Sequence, residues 1–202
     1  MEQEKKVVLL AGPTASGKSK LALQLAKNLN GEIINTDSMQ VYTEMLILTS
    51  RPTGQDTNIV KHHLYGFNSV KQKFSTGHWL KMVINKMKEQ WNQNRIPILV
   101  GGTGLYFKAL TDGLVTIPDI PNDLRTEIRE LHKKIGQKKF YSKLIKLDPL
   151  VKKFILSSDS QRSMRAYEVK KLTNKSLFVF MKKTKSNFDN KIFFGLFFYV
   201  VF

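Results

Sequence analysis

The 202-residue chain contains no cysteine, which excludes disulfide bonds, thiolate metal sites and a cysteine nucleophile. Acidic residues are also scarce: 16 aspartates and glutamates stand against 33 lysines and arginines, for a formal net charge of +17. Hydrophobic residues make up 42% of the chain. That share excludes a disordered or low-complexity protein and predicts a sizeable buried core.

The sequence also lacks an apolar run long enough to cross a membrane, which takes about 20 residues. Its most apolar segment, residues 192–202, has only 11 residues. Residues 1–6 are mostly charged, and the short apolar run after them leads directly into a Gly-Pro pair, unlike a signal peptide. We therefore expect a cytoplasmic protein with no membrane partner, and we expect it to be a monomer.

The positive charge is concentrated in the last third of the chain. Residues 133–202 hold 17 basic and 4 acidic residues, a net charge of +13, whereas residues 1–132 have a net charge of only +4. This imbalance predicts a polyanionic partner, either a nucleic acid or an anionic membrane surface. Only six of the 33 basic residues are arginine, so a solvated lysine-rich surface is the alternative.

Strands and helices alternate along the first half of the sequence. Apolar runs predict strands at residues 7–11, 32–36, 63–67 and 96–100. Apolar side chains at helical spacing predict helices at residues 18–29 and 76–92, with Trp79 and Trp91 as core residues. This order predicts an α/β fold, in which helices flank both faces of a parallel sheet and ligands bind at the carboxyl ends of its strands.

The pattern changes after Pro118 and Pro121. Charged amphipathic helices are predicted at residues 122–135, 137–147 and 160–173. We therefore expect two domains: an α/β core at residues 1–117, and an inserted or appended basic helical region at residues 118–202.

Residues 12–19 match the pattern G-x-x-x-x-G-K-[ST] of phosphate-binding loops, between a predicted buried strand and a predicted helix. Glycines let backbone N–H groups turn toward a phosphate, and the helix points its positive end at the anion. Lys18 adds a cation, and the Ser19 hydroxyl is suited to ligate Mg²⁺. A nucleotide or diphosphate is expected to bind Gly12, Pro13, Thr14, Ala15, Ser16, Gly17, Lys18 and Ser19.

Asp37 is the acidic residue expected at the end of a predicted strand, whereas the strand at residues 96–100 leads into Gly101-Gly102-Thr103-Gly104. A carboxylate beside a phosphate loop can ligate a metal or act as a general base. The alternative for Asp37 is a capping role. His62 and His63 have no third ligand at metal spacing, so a structural or substrate-wall role is favoured over a metal site. Tyr106 is expected either to line a channel or to pack in the core.

Further motifs follow the phosphate loop in a fixed order. They are DSMQVY at residues 37–42, HHL at 62–64, VGGTGLY at 100–106, DPLVKKFI at 148–155 and DSQRSMRAYEV at 159–169. On these motifs the chain resembles the tRNA dimethylallyltransferases, also called tRNA isopentenyltransferases. The resemblance covers residues 6–177.

This resemblance implies transfer of a dimethylallyl group from dimethylallyl diphosphate to the exocyclic amine of an adenosine next to the anticodon of tRNA. Lys18, the phosphate loop and a Mg²⁺ on Ser19 would stabilise the diphosphate leaving group. Asp37 would be the general base, and Thr103 would hydrogen-bond the substrate. Contacts with the anticodon stem-loop of tRNA are implied for Asp37, Ser38, Met39, Gln40, Thr103, Arg125, Gln161, Arg162, Ser163, Met164 and Arg165.

Three other functions stay open: a P-loop adenylate prenyltransferase, a small-molecule kinase and a non-catalytic RNA-binding remnant. Members of the family are longer than this chain, and we expect the resemblance to fade where the composition turns to Phe and Val. A truncation or a change of reading frame near Gly195 and Leu196 would explain such an ending. The apolar segment is then expected to form an exposed patch, an additional strand or an aggregation-prone end.

Overall fold

The computed structural model describes residues 5–181, 186 and 188–197. Within these residues, five strands form one sheet in the order β3-β2-β4-β1-β5, and all of its paired neighbours are parallel. The strands are β1 at Val7–Ala11, β2 at Gly31–Asn35, β3 at His62–His63, β4 at Ile96–Gly101 and β5 at Phe193–Phe197. The prediction of an α/β fold built on a parallel sheet is confirmed. The strand predicted at 63–67 is replaced by the two-residue strand His62–His63, which shares only residue 63 with the predicted range.

The described residues contain seven α-helices. They are α1 at Lys18–Asn28, α2 at Gly54–Ile59, α3 at Thr76–Asn92, α4 at Gly104–Thr111, α5 at Asn122–Leu147, α6 at Ser160–Thr173 and α7 at Leu177–Met181. Short 3₁₀ helices lie at Thr43–Met45, Pro149–Lys153 and Asn190–Ile192. Helices α2, α4 and α7 were not predicted, because five to eight residues are too few for an amphipathic repeat to be recognised.

Helix α5 contains both of the helices predicted at residues 122–135 and 137–147. Gly136 has a left-handed φ of 73° and breaks the helical backbone between them. A left-handed residue is easily accommodated only by glycine, which has no Cβ. Both predicted helical segments are therefore confirmed. The break falls at Gly136, the one residue between the two predicted ranges.

The sheet is buried on both faces, and β1 illustrates how. Val7 and Leu9 pack in one apolar cluster with Trp79 of α3, whereas Leu10 packs in another cluster with Ala22 of α1. Successive side chains of a strand point to opposite faces of the sheet. A strand covered on both faces therefore has a continuous apolar sequence, which is why residues 7–11 were recognisable as a strand.

The chain divides into two compact units, residues 1–114 with 186–202 and residues 115–185. The second unit has its own core, in which Phe140 and Leu144 of α5 pack with Tyr167 of α6. Among the described residues, no helix combines the length and the hydropathy that a membrane-spanning segment needs.

The domain boundary expected after residue 117 lies close to the division after residue 114, whereas the apolar tail expected at the end of the second domain belongs to the first unit. Strand β5 pairs in parallel with β1, with Phe193 opposite Val7 and Phe197 opposite Ala11, and so belongs to the first unit. Its Phe-rich sequence suits an edge position, since aromatic side chains favour strands and pack on the partly buried face. Of the three expectations for this segment, an additional strand is confirmed for Phe193–Phe197. Residues 198–202 lie outside the described residues.

The end of β4 passes very close to the chain that leaves β2. A Cβ added to Gly101 would lie 2.1 Å from the carbonyl oxygen of Thr36 and 2.7 Å from the backbone nitrogen of Asp37. Both obstacles are backbone atoms, so no side-chain rotation could relieve the overlap. Glycine at position 101 is therefore required for the loops after β2 and β4 to lie side by side.

We expect Gly101→Ala to lower the free energy of unfolding by about 1–3 kcal/mol, the usual cost of overpacking a filled interior. Urea denaturation of the purified chain measures this change. Gly54→Ala is the matched control, because its added Cβ has no atom within 4 Å. It is expected to leave stability within about 1 kcal/mol of the wild type or to raise it slightly. Equal stabilities for the two variants would contradict the proposed steric requirement.

Candidate active site at the carboxyl ends of the strands

Three loops converge where β1, β4 and β2 end. These strands are neighbours in the sheet and run in parallel, so their carboxyl ends lie at the same edge. One cleft of about 650 Å³ is lined by residues from all three loops. They are Gly12 and Lys18 after β1, Gly102 after β4 and Asp37 after β2. The structure thus brings the predicted phosphate loop and the predicted general base into the same cleft.

The phosphate loop has the backbone geometry of an anion cradle. Ala15 and Gly17 have left-handed φ values of 63° and 82°, and Gly17 is the N-cap of α1. The Ser16 hydroxyl donates to the Pro13 carbonyl at 2.9 Å, which closes the turn. The first turn of α1 contains no acidic side chain, so no carboxylate offsets the positive end of the helix.

Lys18 reaches back over the loop from the first turn of α1. Its ammonium group donates to the Pro13 carbonyl and, at 3.2 Å, to the Ser16 hydroxyl. Burial lowers the pKa of Lys18 from its ordinary value of 10.5, and the Asp37 carboxylate partly offsets this effect. Lys18 and Asp37 are therefore close enough to interact through their charges, as a site for a leaving anion and a proton acceptor requires.

Asp37 is held by a network of hydrogen bonds at the end of β2. Its Oδ1 accepts from the Met39 N–H at 2.8 Å, while Oδ2 faces Gly102, whose added Cβ would come within 3.5 Å. The Asn35 side chain accepts from the Asp37 N–H at 2.8 Å and donates to the Asp37 carbonyl at 3.0 Å. Asp37 thus closes a turn rather than capping a helix. The glycine at position 102 leaves space in front of Oδ2.

Thr103 braces the turn that carries Asp37. Its hydroxyl accepts from the Ser38 N–H at 2.9 Å and donates to the Ser38 hydroxyl at 3.2 Å. Its own N–H donates to the Thr36 carbonyl at 3.3 Å. The structure thus gives Thr103 protein partners in the turn, whereas the sequence predicted a contact with the substrate.

The support beneath this turn includes residues that the sequence analysis missed. Asn35 is fully buried and also donates to the Leu64 carbonyl at 2.9 Å, and the Trp79 indole N–H donates to the Asn35 carbonyl at 3.0 Å. A polar residue at the end of an apolar strand was the available signal for Asn35. Trp79 is a core residue, as predicted, with 0% exposure.

Tyr106 packs rather than lining an open channel. It is buried and stacks on Trp79 with ring centroids 4.2 Å apart. Burial, with smaller effects of Tyr42 and Asp37, raises the pKa of Tyr106 to about 12, so the phenol stays neutral. Of the two roles expected for this residue, packing describes its position.

The adjacent histidines have protein partners. His62 Nδ1 lies 2.8 Å from the Val60 carbonyl oxygen, and burial lowers the pKa of His62. His63 Nε2 lies 2.7 Å from the Glu32 carboxylate, which also forms an ion pair with Arg95 at 2.7 Å. Within the described part of the chain, no cluster of three His, Asp or Glu side chains could hold a metal.

The donor set in the cleft nevertheless fits one kind of metal site. Ser19 supplies a hydroxyl and Asp37 supplies a carboxylate, and both line the same cleft. Mg²⁺ is commonly bound by one or two protein oxygen ligands together with substrate phosphates and water. The residues present therefore suit a Mg²⁺ that arrives with a phosphorylated ligand.

The second unit contains a separate basic groove of about 580 Å³ between α5 and α6. Its lining comprises Arg125, Arg129, His132, Gln161, Met164, Arg165 and Glu168. Four of the predicted RNA contacts, Arg125, Gln161, Met164 and Arg165, thus meet in one place. Arg129 and His132 were missed, although their spacing of four and seven residues from Arg125 puts all three on one helix face.

The two remaining RNA contacts predicted on α6 lie outside this groove. Arg162 has a side chain that is 73% exposed and lies 3.4 Å from the Asp159 carboxylate. Ser163 is fully buried, and its hydroxyl donates to the Asp159 carbonyl and accepts from the Gln137 side chain. Direct contact of the Ser163 side chain with RNA is therefore not supported, because this side chain joins α6 to α5.

Comparison with known proteins gives a consistent set of similarities. A family model described as IPP transferase matches residues 40–199. The tRNA dimethylallyltransferase of Pelagibacter ubique is 53% identical over 196 residues, which are 97% of this chain and 63% of that relative. The tRNA dimethylallyltransferase of Rickettsia massiliae is 47% identical, over 95% of this chain and 54% of the relative. The chain thus spans less than two thirds of the length of these curated relatives.

Solved structures are similar as well. A eukaryotic dimethylallyltransferase acting on tRNA superposes with a TM-score of 0.82 at 28% identity, over 96% of this chain and 48% of that chain. The full-length tRNA isopentenylpyrophosphate transferase of Bacillus halodurans gives a TM-score of 0.55 at 37% identity, over 85% of this chain and 57% of that chain. The family match includes β5, so the prediction that the resemblance ends near residue 177 was wrong.

The lowered pKa of Lys18 makes its cation sensitive to alkaline pH. As the pH rises, the Lys18 ammonium loses its proton earlier than an ordinary lysine with a pKa of 10.5. Arginine stays protonated throughout this range. We therefore expect the affinity of Lys18→Arg for inorganic diphosphate, relative to that of the wild type, to increase between about pH 7 and 10. Isothermal titration calorimetry of both proteins measures this ratio.

Diphosphate itself changes protonation over this pH range. That change does not affect the ratio of the two affinities, because both proteins bind the same ligand. Lys20→Arg is the matched control, since Lys20 lines the same cleft from an exposed position. The affinity of Lys20→Arg relative to the wild type is expected to change less with pH than that of Lys18→Arg. Equal changes for the two variants would show that the Lys18 charge does not control anion binding.

Proposed function

This chain belongs to the IPP transferase family, and from that premise we propose that it transfers a dimethylallyl group from dimethylallyl diphosphate to tRNA. The acceptor is the exocyclic amine of an adenosine beside the anticodon. The observation that carries the proposal is the shared cleft in which the Lys18 ammonium and the Asp37 carboxylate interact. We also propose that the chain acts as a monomer in the cytoplasm.

The phosphate loop receives the diphosphate of the donor. Backbone N–H groups between Gly12 and Ser19 surround its oxygens, and the positive end of α1 faces them. Lys18 exchanges its contacts with Pro13 and Ser16 for the anion. Ser19, with the diphosphate oxygens, would hold Mg²⁺, whose charge neutralises the leaving group when the ion is bound. These interactions strengthen as the C1–O bond breaks and negative charge collects on the diphosphate.

Asp37 accepts the proton of the acceptor amine. The amine nitrogen forms a bond to C1 of the dimethylallyl group while the C1–O bond breaks, and one N–H proton passes to Asp37 Oδ2. The Met39 N–H holds Oδ1 at 2.8 Å, and the Asn35 side chain fixes the Asp37 backbone. Thr103 is a positioning residue in this scheme, because its hydrogen bonds to Ser38 hold the turn in place.

RNA binds at both units. An adenine can present its amine to Asp37 only after leaving its base stack, as enzymes that modify bases commonly require. Met39 and Gln40 line the same cleft as Asp37 and contact the extruded nucleotide. Ser38 lies between Asp37 and Met39 in the chain and is held by Thr103. In the second unit, Arg125, Arg129 and Arg165 line the basic groove and contact phosphates of the anticodon stem-loop.

The decisive experiment incubates the chain with Mg²⁺, labelled dimethylallyl diphosphate and unmodified tRNA. Label entering tRNA supports the proposal. Label entering free AMP instead would support an adenylate prenyltransferase, and retention of tRNA without transfer would identify an RNA-binding protein. Phosphate transfer from ATP to a small molecule in the same preparation would support a kinase.

We expect Asp37→Asn to lower the transfer rate by about 10²–10⁴-fold, the usual cost of losing a general base. An amide keeps the shape of the carboxylate but cannot accept the proton, so tRNA binding is expected to persist. Single-turnover transfer and filter binding measure the two effects. Asp119→Asn is the matched control, because Asp119 is exposed and does not line the cleft. Undiminished transfer by Asp37→Asn would remove this residue from the base role.

We expect the double variant Arg125→Ala/Arg165→Ala to bind tRNA more weakly at every salt concentration. Each lost phosphate contact makes the negative slope of log affinity against log salt shallower, by about 0.7 for a single strand and about 0.9 for a duplex. The magnitude of the slope is therefore expected to decrease by about 1.4–1.8. The double variant Lys27→Ala/Lys88→Ala removes the same charge from exposed positions of α1 and α3 and is the control. Equal slopes for the two double variants would mean that the groove makes no phosphate contacts.

A further inference from the structure

Three apolar side chains stand out in solvent next to the cleft. Leu46, Ile47 and Leu48 are 51%, 90% and 82% exposed, and we call residues 46–48 the apolar tip. Scattered single apolar residues are common on protein surfaces, but three in succession, two of them almost fully exposed, are not.

The apolar tip is held in position by hydrogen bonds on both sides. The Thr49 N–H donates to the Met45 carbonyl at 3.2 Å, and the Arg51 N–H donates to the Leu46 carbonyl at 3.3 Å. The Gln40 side chain donates to the Thr49 carbonyl at 2.7 Å, which ties this segment to the strand end that carries Asp37. The exposure of Ile47 and Leu48 is thus a property of an ordered turn.

The surroundings of the apolar tip identify the chemistry of its partner. Leu48 lines the same cleft as Lys18, Lys20 and Asp37. The nearby Glu44 carboxylate accepts from the Ser69 hydroxyl and the Val70 N–H, contacts that lower the pKa of Glu44 and turn its charge toward residues 69–70. Lys18 is assigned to the donor diphosphate, whereas Lys20 is exposed and remains for another anion. An apolar surface beside Lys20 and Asp37 fits a ligand with flat apolar faces on an anionic backbone, which describes the bases and phosphates of RNA.

We infer that the apolar tip inserts into the base stack of the RNA, next to the adenosine whose amine reaches Asp37. This inference rests on the proposed function and names the surface that makes extrusion of the base possible. An extruded base leaves a gap, and the neighbouring bases lose their stacking contacts. Aliphatic side chains such as Ile and Leu insert between base steps in other nucleic-acid complexes and partly unstack the bases there.

A stem-loop with 2-aminopurine at the acceptor position tests the inference, because its fluorescence rises when the base leaves the stack. The wild-type chain is expected to raise the fluorescence, and Ile47→Ala/Leu48→Ala to lose most of that rise. With an unmodified stem-loop, kcat/KM for transfer is expected to fall about 10- to 100-fold. Ile47→Met/Leu48→Met retains apolar bulk and is expected to restore both signals.

Val70→Ala is the matched control, since Val70 is 52% exposed and does not line the cleft. It should leave the fluorescence and kcat/KM unchanged. A full fluorescence rise with Ile47→Ala/Leu48→Ala would overturn the inference. A loss of affinity for inorganic diphosphate in that variant, with the fluorescence unchanged, would assign the tip to the donor site, and a changed sedimentation coefficient would assign it to contacts between copies of the chain.

The two proposals fail in different ways. If the wild-type chain raises the fluorescence and the tip variant does not, but no label enters tRNA, the inference stands and the proposed function is wrong. If label enters tRNA at equal rates with the wild type and the tip variant, the proposed function stands and the inference is wrong.

Discussion

The site depends on the close approach of two backbones where β4 ends beside the turn after β2. Backbone hydrogen bonds join these segments. The Thr36 N–H donates to the Val100 carbonyl, and the Thr103 N–H donates to the Thr36 carbonyl. The Gly12 N–H donates to the Gly101 carbonyl. The phosphate loop, the carboxylate turn and the glycine-rich turn are therefore joined as one assembly. A side chain at Gly101 would push them apart, and Asp37 would lose its position relative to Lys18. The proposed transfer needs that separation to be fixed, because the base takes a proton from the attacking amine while the anion cradle holds the diphosphate that leaves the carbon under attack.

The two regions proposed to bind anions use charge in different ways. In the cleft, the partly buried Lys18 acts together with backbone N–H groups and the positive end of α1. Its attraction to an anion is stronger in this less polar environment than it would be in water. The groove of the second unit uses several arginines that remain accessible to water, and their contribution is screened by salt. The first arrangement suits a diphosphate that must be held tightly in one place. The second suits a long polyanion that is positioned by many weak contacts.

Much of the fold could be predicted from local pattern. Helices α3 and α6 begin and end at the predicted residues, and β1 has the predicted bounds, because apolar periodicity reports directly which side chains are buried. Helix α4 was not predicted, since it is short. Strand β5 was only one of three expectations for its segment, since it is defined by its pairing with β1. Within the candidate site, the loop and Asp37 were evident, whereas Asn35 was not. Its role comes from hydrogen bonds to Asp37 and Leu64, and Leu64 is distant in sequence.

The sequence by itself determined which chemical groups this protein has: a phosphate loop, a carboxylate after a buried strand, and a basic helical segment. Each of these is encoded within a few consecutive residues, where glycines, charges and periodicity act locally. Only the tertiary structure decided how the groups are combined. The sheet order brings three strand ends together, the burial of Ser163 removes it from the surface, and the turn at residues 45–51 leaves Ile47 and Leu48 exposed. These outcomes depend on contacts between residues far apart in the chain, which local patterns do not specify.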